Sequence, residues 1–383
     1  MRRLKPRDVL IAVAGMIFLA GVAGARTSSN RPLTAGVPDT VQGLRFNPEV
    51  FNSSGASFKD TWLNYYSLPD VRSQVKAELS AIRQTTHLNA ISLFVSANQH
   101  LAWPSPSAAQ MQNLTAFIND ADELGLRVIL LVSTPCVVPN SAQPLGSGKM
   151  HVGGHHKGEI VNGVRLYWDV AFCPDNSIQL AQSWYSDILS NLAKSLRSPD
   201  EILYVGLRGN PTLPFATEMN VFYDGFPQLA SAQKYISQLV TYLRPRTSFR
   251  IGIGLLPGFW STNTAFRYSF LRNLSSAIRL SSFDYLDITS SDQIDVASIL
   301  ARVGSGNARR VILSDFKYGE SKQNQAAVTS FHQDQVRKNH LGGYWIWQYK
   351  DDPSLGNQGV GIRKAGYFGN IGGWKKEVAD LVQ

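Results

Sequence analysis

The chain has 383 residues, of which 44% are hydrophobic and 17% are charged, so it carries enough apolar material for one large core. This composition excludes a chain that is disordered throughout. The formal net charge is +9, but the sequence has no dense basic tract beyond the short RPR at 244–246. A mild basic excess of this kind is typical of a solvated surface, and we predict no nucleic-acid partner.

The first residues resemble a targeting segment. MRRLKPRD is basic, Val9–Ala25 is apolar, and Ala23 and Ala25 have the spacing that a signal peptidase requires. Because the apolar segment is at the short edge of what crosses a bilayer, residues 1–25 are predicted to be a signal peptide or an N-terminal membrane anchor. Either alternative predicts a protein that is secreted or held in the periplasm or cell envelope. Residues 26–40 are predicted to be a linker.

Eight short apolar or β-branched runs recur along the rest of the chain. Most of them are continuous rather than alternating, which is typical of strands whose two faces are both buried in a parallel sheet. The runs are VQGLRF from Val41, NAISLFVS from Asn89, LRVILLVS from Leu126, ILYVGLR from Ile202, FRIGIGLL from Phe249, FDYLDITS from Phe283, RVILSDF from Arg310 and GGYWIWQY from Gly342.

Helical patterns lie between these runs, with apolar residues three and four positions apart. We expect Asp70 to cap the first helix, and Gly125 and Gly304 to end two later ones. Strands alternating with helices over residues 41–383 predict an α/β fold, a (β/α)8 TIM barrel. A doubly wound open sheet is the alternative, but NPEVFNSSGAS after the first run lacks a G-x-G-x-x-G phosphate turn.

The largest insertion follows the third strand, at residues 134–175, and contains both cysteines. In an exported chain, Cys136 and Cys173 are predicted to form one disulfide that closes this loop, and two buried thiols are the alternative. The insertion also contains MHVGGHHKGE, whose histidines and Glu159 lack the H-E-x-x-H spacing of a zinc site. We therefore predict a mobile rim loop, with no metal ion and no other cofactor.

Three segments carry a resemblance to a known family. SWYSDILSNLAKSLRSPDEILYVGLRGNP resembles the helix-three to strand-four unit of clan A glycoside hydrolases of the endoglucanase and β-mannanase type, in which strand four ends in Asn-Glu-Pro. RRVILSDFKYG is similar to their strand seven, which ends in Glu-Phe-Gly, and GGYWIWQYKDD to their eighth strand with its sugar-stacking Trp. The resemblance spans Val41 to the C-terminus. It implies a barrel that acts on a polysaccharide or oligosaccharide.

The resemblance carries over unevenly to individual residues. Asp315 matches the family nucleophile, a Glu, and Trp347 matches the stacking Trp, but Gly209 and Asn210 match the Asn-Glu pair, so the acid/base carboxylate is missing. Because Asp is one methylene shorter than Glu, activation of a water is favoured over direct attack on the sugar. We predict Asp315 as the base-side carboxylate and Glu218, from the following loop, as the acid, with Asp224 and Asp292 as the other carboxylates that could supply it.

Each of these residues has a structural alternative. Asp315 can pair with Arg208 without any turnover, and a loop carboxylate such as Glu218 can be solvated or cap a helix. Trp345, Trp347 and Tyr349 alternate and are predicted to share one strand face, although any single Trp can equally pack in the core. The full set of predicted substrate-binding residues is Arg208, Asn210, Asp292, Trp260, Tyr318, Trp345 and Trp347.

Two functions of different classes follow from these residues. The first is an exported glycoside hydrolase-like enzyme with an atypical carboxylate pair. The second is a catalytically inactive carbohydrate-binding or scaffold protein on the same barrel, because Asn210 can bond to a sugar hydroxyl but cannot transfer a proton at neutral pH. An envelope-anchored interaction protein without a sugar ligand is a third alternative.

Overall fold

A computed structural model describes most of the predicted barrel. The described residues are 40–96, 100–102, 105–133, 136–139, 159–161, 164–167, 178–207, 237–255, 280–290, 294–316, 325–346, 348–350, 361–364 and 373–375. The predicted signal peptide or anchor lies outside them, as does the predicted linker up to residue 39. Within the described ranges, no helix combines the length and the apolar character needed to cross a membrane.

Thirteen strands are described, and eight of them form the barrel. In chain order the strands are β1 (Val41–Arg45), β2 (Ala90–Ser96), β3 (Arg127–Ser133), β4 (Cys136–Pro139), β5 (Glu159–Val161), β6 (Val164–Tyr167), β7 (Ile202–Leu207), β8 (Ile251–Leu255), β9 (Tyr285–Thr289), β10 (Val311–Phe316), β11 (Gly343–Ile346), β12 (Gln348–Lys350) and β13 (Gly361–Arg363).

The barrel is closed and all its strands are parallel. Its strands follow the order β1, β2, β3, β7, β8, β9, β10 and β11, and β11 pairs back onto β1. Each of the eight apolar runs contains one of these strands, so the predicted (β/α)8 barrel is confirmed. Since parallel strands all point the same way, their C-terminal ends meet at one opening, which we call the barrel mouth.

Helices pack around the barrel where the apolar patterns predicted them. The described helices are α1 (Pro69–Thr85), α2 (Ala108–Glu123), α3 (Ile178–Ser195), α4 (237–243), α5 (Val296–Val303) and α6 (Gln325–Lys338). Gly125 and Gly304 follow the ends of α2 and α5 with positive φ angles of 75° and 89°, as predicted. The predicted cap of α1 is wrong: Leu68 is the N-cap and Asp70 lies inside the first turn, because Pro69 already occupies the first helical position.

Residues that face into the barrel form a core cluster separate from the one between strands and helices. The inner cluster consists of Val41, Ala90, Ile129, Leu131, Leu203, Tyr204, Tyr285, Ile312 and Trp345. Glycines on neighbouring strands make room for its rings. A Cβ on Gly43 would lie 3.1 Å from Cβ of Trp345, and one on Gly252 would lie 2.6 Å from the Tyr204 ring. Large and small residues thus complement each other around the inside of the barrel.

The long insertion contains more regular structure than predicted. Strands β4, β5 and β6 form a three-stranded antiparallel sheet, in which Cys136 is the register partner of Tyr167. The predicted long loop after the third barrel strand therefore contains regular structure in these segments, where the β-branched and apolar residues Val137, Val138 and Leu166 suit a pleated sheet. Cys173 lies outside the described residues, so the disulfide stays a prediction.

The C-terminal segment is held to the barrel by a buried polar network. The Tyr349 hydroxyl on β12 donates to the Glu78 carboxylate on α1 at 2.6 Å, and Arg363 Nη1 on β13 lies 3.3 Å from the same Glu78 oxygen. The Arg363 guanidinium also lies 4.9 Å from the centre of the Trp374 ring. Burial, followed by the Glu78 charge, raises the pKa of Tyr349 above its ordinary value.

Candidate functional site

The barrel mouth is where a (β/α)8 protein builds a binding or catalytic site. Asp315 is the penultimate residue of β10, the seventh barrel strand, so its backbone lies at this opening. The other predicted site residues near the strand ends lie outside the described residues: Arg208, Asn210, Glu218, Trp260, Asp292, Tyr318 and Trp347. Their predicted roles stay predictions.

The backbone of β10 is irregular where Asp315 lies. Leu313 is the register partner of Tyr344, and Phe316 is that of Ile346, so three steps along β10 correspond to two along β11. This offset is a register shift between Leu313 and Phe316, which interrupts the regular pairing of the two strands. Irregularities of strand pairing are common next to active sites.

A cation and an aromatic ring meet near the C-terminal ends of β1 and β2, and β1 is separated from β10 by β11 alone. Arg45 ends β1, and its guanidinium carbon lies 5.6 Å from the centre of the Phe94 ring on β2. Both side chains are half-buried. The sequence analysis did not predict this pair. The signal for it was an arginine as the last residue of an apolar strand. A charge held over a ring at strand ends is suited to contacts with a polar ligand.

The structure separates two aromatic residues that were predicted to share a face. Trp345 is 0% exposed and belongs to the inner cluster, whereas Tyr349 packs outside the barrel, with its ring 5.8 Å from that of Phe46. The prediction of a shared face is wrong because β11 ends at Ile346 and β12 pairs with β13 rather than with the barrel. Trp345 is thus packed in the core, and its predicted contact with a sugar stays a prediction.

A carboxylate that sequence reasoning did not single out lies inside the barrel. Asp287, on β9, is 0% exposed, and its Oδ2 accepts a hydrogen bond of 3.0 Å from the Tyr204 hydroxyl on β7. The Tyr204 ring lies 4.8 Å from that of Tyr285, and burial raises the pKa of Tyr285 to about 12. The signal for this pair was a charged residue in the middle of the strand run FDYLDITS, where both faces are buried.

A buried histidine connects α6 to the end of β9. His332 Nε2 lies 2.7 Å from the hydroxyl oxygen of Ser290, and Nδ1 lies 2.7 Å from the Val328 carbonyl oxygen. Burial lowers the pKa of His332 from 6.5 to about 4, so the ring is neutral in the folded protein at neutral pH. The contact between His332 and Ser290 attaches α6 to the residue that follows β9.

The depressed pKa of His332 predicts an acid-sensitive fold. Between pH 6.5 and about 4 the unfolded chain binds a proton at this residue that the folded chain does not, so stability is lost as the pH falls through this range. We expect a loss of roughly 3 kcal/mol in the free energy of unfolding from this group. Urea unfolding at pH 7.5 and 4.5 measures this decrease in the free energy of unfolding. In His332→Gln the decrease between the two pH values should be smaller than in the natural protein, because most of the contribution from this group is absent.

The exposed His87 provides the matched control for this measurement. His87→Gln should keep the pH dependence of the natural protein. An unchanged pH dependence in His332→Gln would show that burial of His332 does not govern acid stability.

Comparison with known proteins gives matches at the level of structure alone. No protein-family profile matches the chain, and neither does any curated protein sequence. Solved structures with the same fold include an exo-β-1,4-mannosidase from an Opitutaceae bacterium, strain TAV5, with 14% identity, a TM-score of 0.55, and coverage of 90% of this chain and 58% of that one. The chain therefore spans less than two thirds of that mannosidase.

Two further structures match over more of their own length. GH5_18 from Streptomyces cattleya, in complex with GlcNAc, has 13% identity and a TM-score of 0.52, with 90% of this chain and 79% of that chain covered. A β-glucosidase from Thermotoga maritima, in complex with deoxynojirimycin, has 11% identity and a TM-score of 0.55, with coverage of 90% and 97%. The resemblance to clan A glycoside hydrolases is thus confirmed as a likeness of fold.

Proposed function

We propose that this chain binds a polysaccharide or oligosaccharide at the barrel mouth and hydrolyses its glycosidic bonds there. The observation that supports this most strongly is the position of Asp315 at the C-terminal end of the seventh strand of a glycoside hydrolase-like barrel, within the register shift between Leu313 and Phe316. A carboxylate at a strand end of this kind is a common position for a catalytic group. The N-terminal segment would deliver the protein to the cell envelope or beyond it.

In this proposal Asp315 acts as the general base. It accepts a proton from a water molecule as the water oxygen bonds to the anomeric carbon of the sugar. The glycosidic C–O bond breaks at the same time, and Glu218 donates a proton to the departing oxygen. Room for a water between the two carboxyl groups corresponds to an inverting enzyme, in which they are about 6.5 to 9.5 Å apart.

The remaining predicted residues would hold the sugar. Arg208, Asn210 and Asp292 offer hydrogen bonds to hydroxyl groups, and aromatic rings offer flat apolar faces to the C–H side of a pyranose. The proposed rings are those of Trp260, Tyr318 and Trp347, since Trp345 is fully buried in the inner cluster.

A second function, binding without turnover, is favoured by one specific observation. Asn210 occupies the position of the acid/base Glu in the family that the strand resembles, and an amide cannot donate a proton to a leaving group at neutral pH. In this alternative the barrel mouth binds a glycan reversibly and does not hydrolyse it.

A panel of glucans, mannans, galactans and xylans separates the two functions. The natural protein is incubated with each polysaccharide, new reducing ends are measured, and bound protein is recovered by pull-down. Release of reducing ends supports hydrolysis. Pull-down without product supports the binding protein, and the absence of both would refute the proposal that the mouth is a saccharide site.

A further inference from the structure

The backbone around Asp315 is held differently by its two neighbouring strands. On the β11 side, regular pairing is interrupted between Leu313 and Phe316. On the β9 side, the register continues as far as Ser314, whose partner is Thr289. The pairing with β9 therefore holds this part of β10 where the pairing with β11 is irregular.

One hydrogen bond extends the pairing with β9 to the peptide group that leads into Asp315. The backbone N–H of Ser290, the residue after β9, donates to the Ser314 carbonyl oxygen at 2.9 Å. This carbonyl group and the Asp315 nitrogen belong to one planar peptide group, because the C–N bond between them has partial double-bond character. The position of Ser290 therefore constrains the plane in which the Cα atom of Asp315 lies.

Ser290 is in turn held by α6. His332 Nδ1 lies 2.7 Å from the Val328 carbonyl oxygen, which can only accept a hydrogen bond, so Nδ1 carries the proton of the neutral ring. Nε2 is then the acceptor, and the Ser290 hydroxyl donates to it at 2.7 Å. Ser290 and His332 are both 0% exposed, so bulk water does not compete for this hydrogen bond.

A contact that only joined a helix to a strand would not need these polar groups. Apolar residues such as Ile288 and Val328 already supply contacts in the layer between strands and helices. Apolar packing tolerates small shifts between its partners, whereas a hydrogen-bonded buried pair fixes their distance and direction. The buried pair of Ser290 and His332 thus indicates a requirement for fixed geometry at this end of β9 and β10.

We propose that Ser290 and His332 are positioning residues for Asp315. The inference rests on the proposed hydrolysis with Asp315 as the general base. The contacts lead from His332 through Ser290 to the peptide group before Asp315, and the two residues act without contacting the sugar. A catalytic group has to be held within about 0.5 Å of its working position, and a misplacement of about 1 Å can lower turnover by about 10²-fold.

The Ser290→Ala variant tests the inference, because it removes the hydroxyl but keeps the backbone N–H. We expect its kcat to fall by roughly 10- to 10²-fold with little change in KM, since the loss falls on the transition state. Initial rates of reducing-end release measure the change in the full-length protein, with whichever glucan, mannan, galactan or xylan it hydrolyses. Thr86→Val is the matched control, because it removes a buried hydroxyl before β2, at the other end of the barrel, and should keep the natural kcat.

Two replacements of His332 distinguish positioning from a general effect on stability. In His332→Gln the amide oxygen can take the place of Nε2 and accept from Ser290, so this variant should keep most of the natural kcat. In His332→Asn the shorter amide corresponds to Nδ1 and does not reach Ser290, so kcat should fall as in Ser290→Ala. Urea unfolding of each variant establishes that the assayed protein is folded.

The double variant Ser290→Ala with Asp315→Asn gives a readout that a structural role would not produce. Positioning through Asp315 predicts a rate no lower than that of Asp315→Asn alone, because the base that Ser290 positions has already been removed. A smaller folded fraction would instead lower the rate of the double variant further, and that result would overturn the inference.

The remaining outcomes separate this inference from the proposed function. A natural kcat in folded Ser290→Ala, or a rise in KM alone, would overturn the inference and leave Asp315 as the general base. Failure of both Ser290→Ala and His332→Asn to fold would overturn it as well, because the contact would then serve the whole fold. Absence of hydrolysis by the natural protein would overturn the proposed hydrolysis and the inference together.

Discussion

The Asp315→Asn variant is expected to turn over a hydrolysed polysaccharide about 10²- to 10⁴-fold more slowly than the natural protein. That range is what a positioned general base contributes to a reaction. The amide has nearly the same shape as the carboxylate but cannot accept the proton of the attacking water. Binding of the polysaccharide should be retained, because the loss falls on the transition state. Initial rates of reducing-end release, measured together with pull-down, distinguish the two effects.

Asp334→Asn is the matched control, since Asp334 on α6 is largely exposed and pairs only with Arg337 on the surface in the described part of the chain. This control should keep the natural rate. Asp315→Asn with a rate equal to the control would contradict the role proposed for Asp315. It would favour the alternative in which that carboxylate is structural.

The Glu78→Gln variant is expected to lower the free energy of unfolding by about 3 kcal/mol. Glu78 is 1% exposed and shares one oxygen between the Tyr349 hydroxyl and the Arg363 guanidinium. The amide removes the negative charge next to a buried cation, and breaking a buried ion pair from one side costs more than the intact pair contributes. Urea unfolding at pH 7 measures the change, and we expect the midpoint to fall without a change in slope.

Glu123→Gln on α2 is the matched control for this charge removal. Glu123 is about half-exposed and pairs with Lys76 and Arg197 at the surface, where such pairs contribute less than about 1 kcal/mol. Similar losses in the two variants would show that the buried network does not anchor the C-terminal segment. A replacement of both buried partners, Glu78→Leu with Arg363→Met, should recover part of the stability because neither charge is then left alone.

The order of strands and helices could be predicted because the local spacing of apolar residues shows which positions of each element are buried in the core. Runs such as LRVILLVS are apolar on both faces, which is typical of a strand between two buried layers, and this run contains β3. Glycines with positive φ, as at Gly125 and Gly304, ended helices where predicted because other residues are strained there.

Features that depend on partners distant in the chain could not be predicted. The register shift between Leu313 and Phe316 is an offset between β10 and β11 and has no signature within β10. The hydrogen bond between Tyr204 and Asp287 requires a glycine on a third strand. The alternation of residues along a single strand predicted Trp345 and Tyr349 on one face. They are separated because the chain after Ile346 leaves the barrel and pairs with β13 instead.

The pairing of β1 with β11 determines when the barrel can close during synthesis. Val41 faces Gly343 across this seam, and a Cβ on Gly343 would lie 2.1 Å from the Val41 carbonyl oxygen, so the two backbones meet closely. The first barrel strand must wait for the last one, which leaves the ribosome after all the other barrel strands have been made. Until then β1 and β10 each expose an unpaired edge that invites aggregation. Chaperones that shield nascent β-edges should accordingly raise the yield of this protein more than additives that merely stabilise the finished fold.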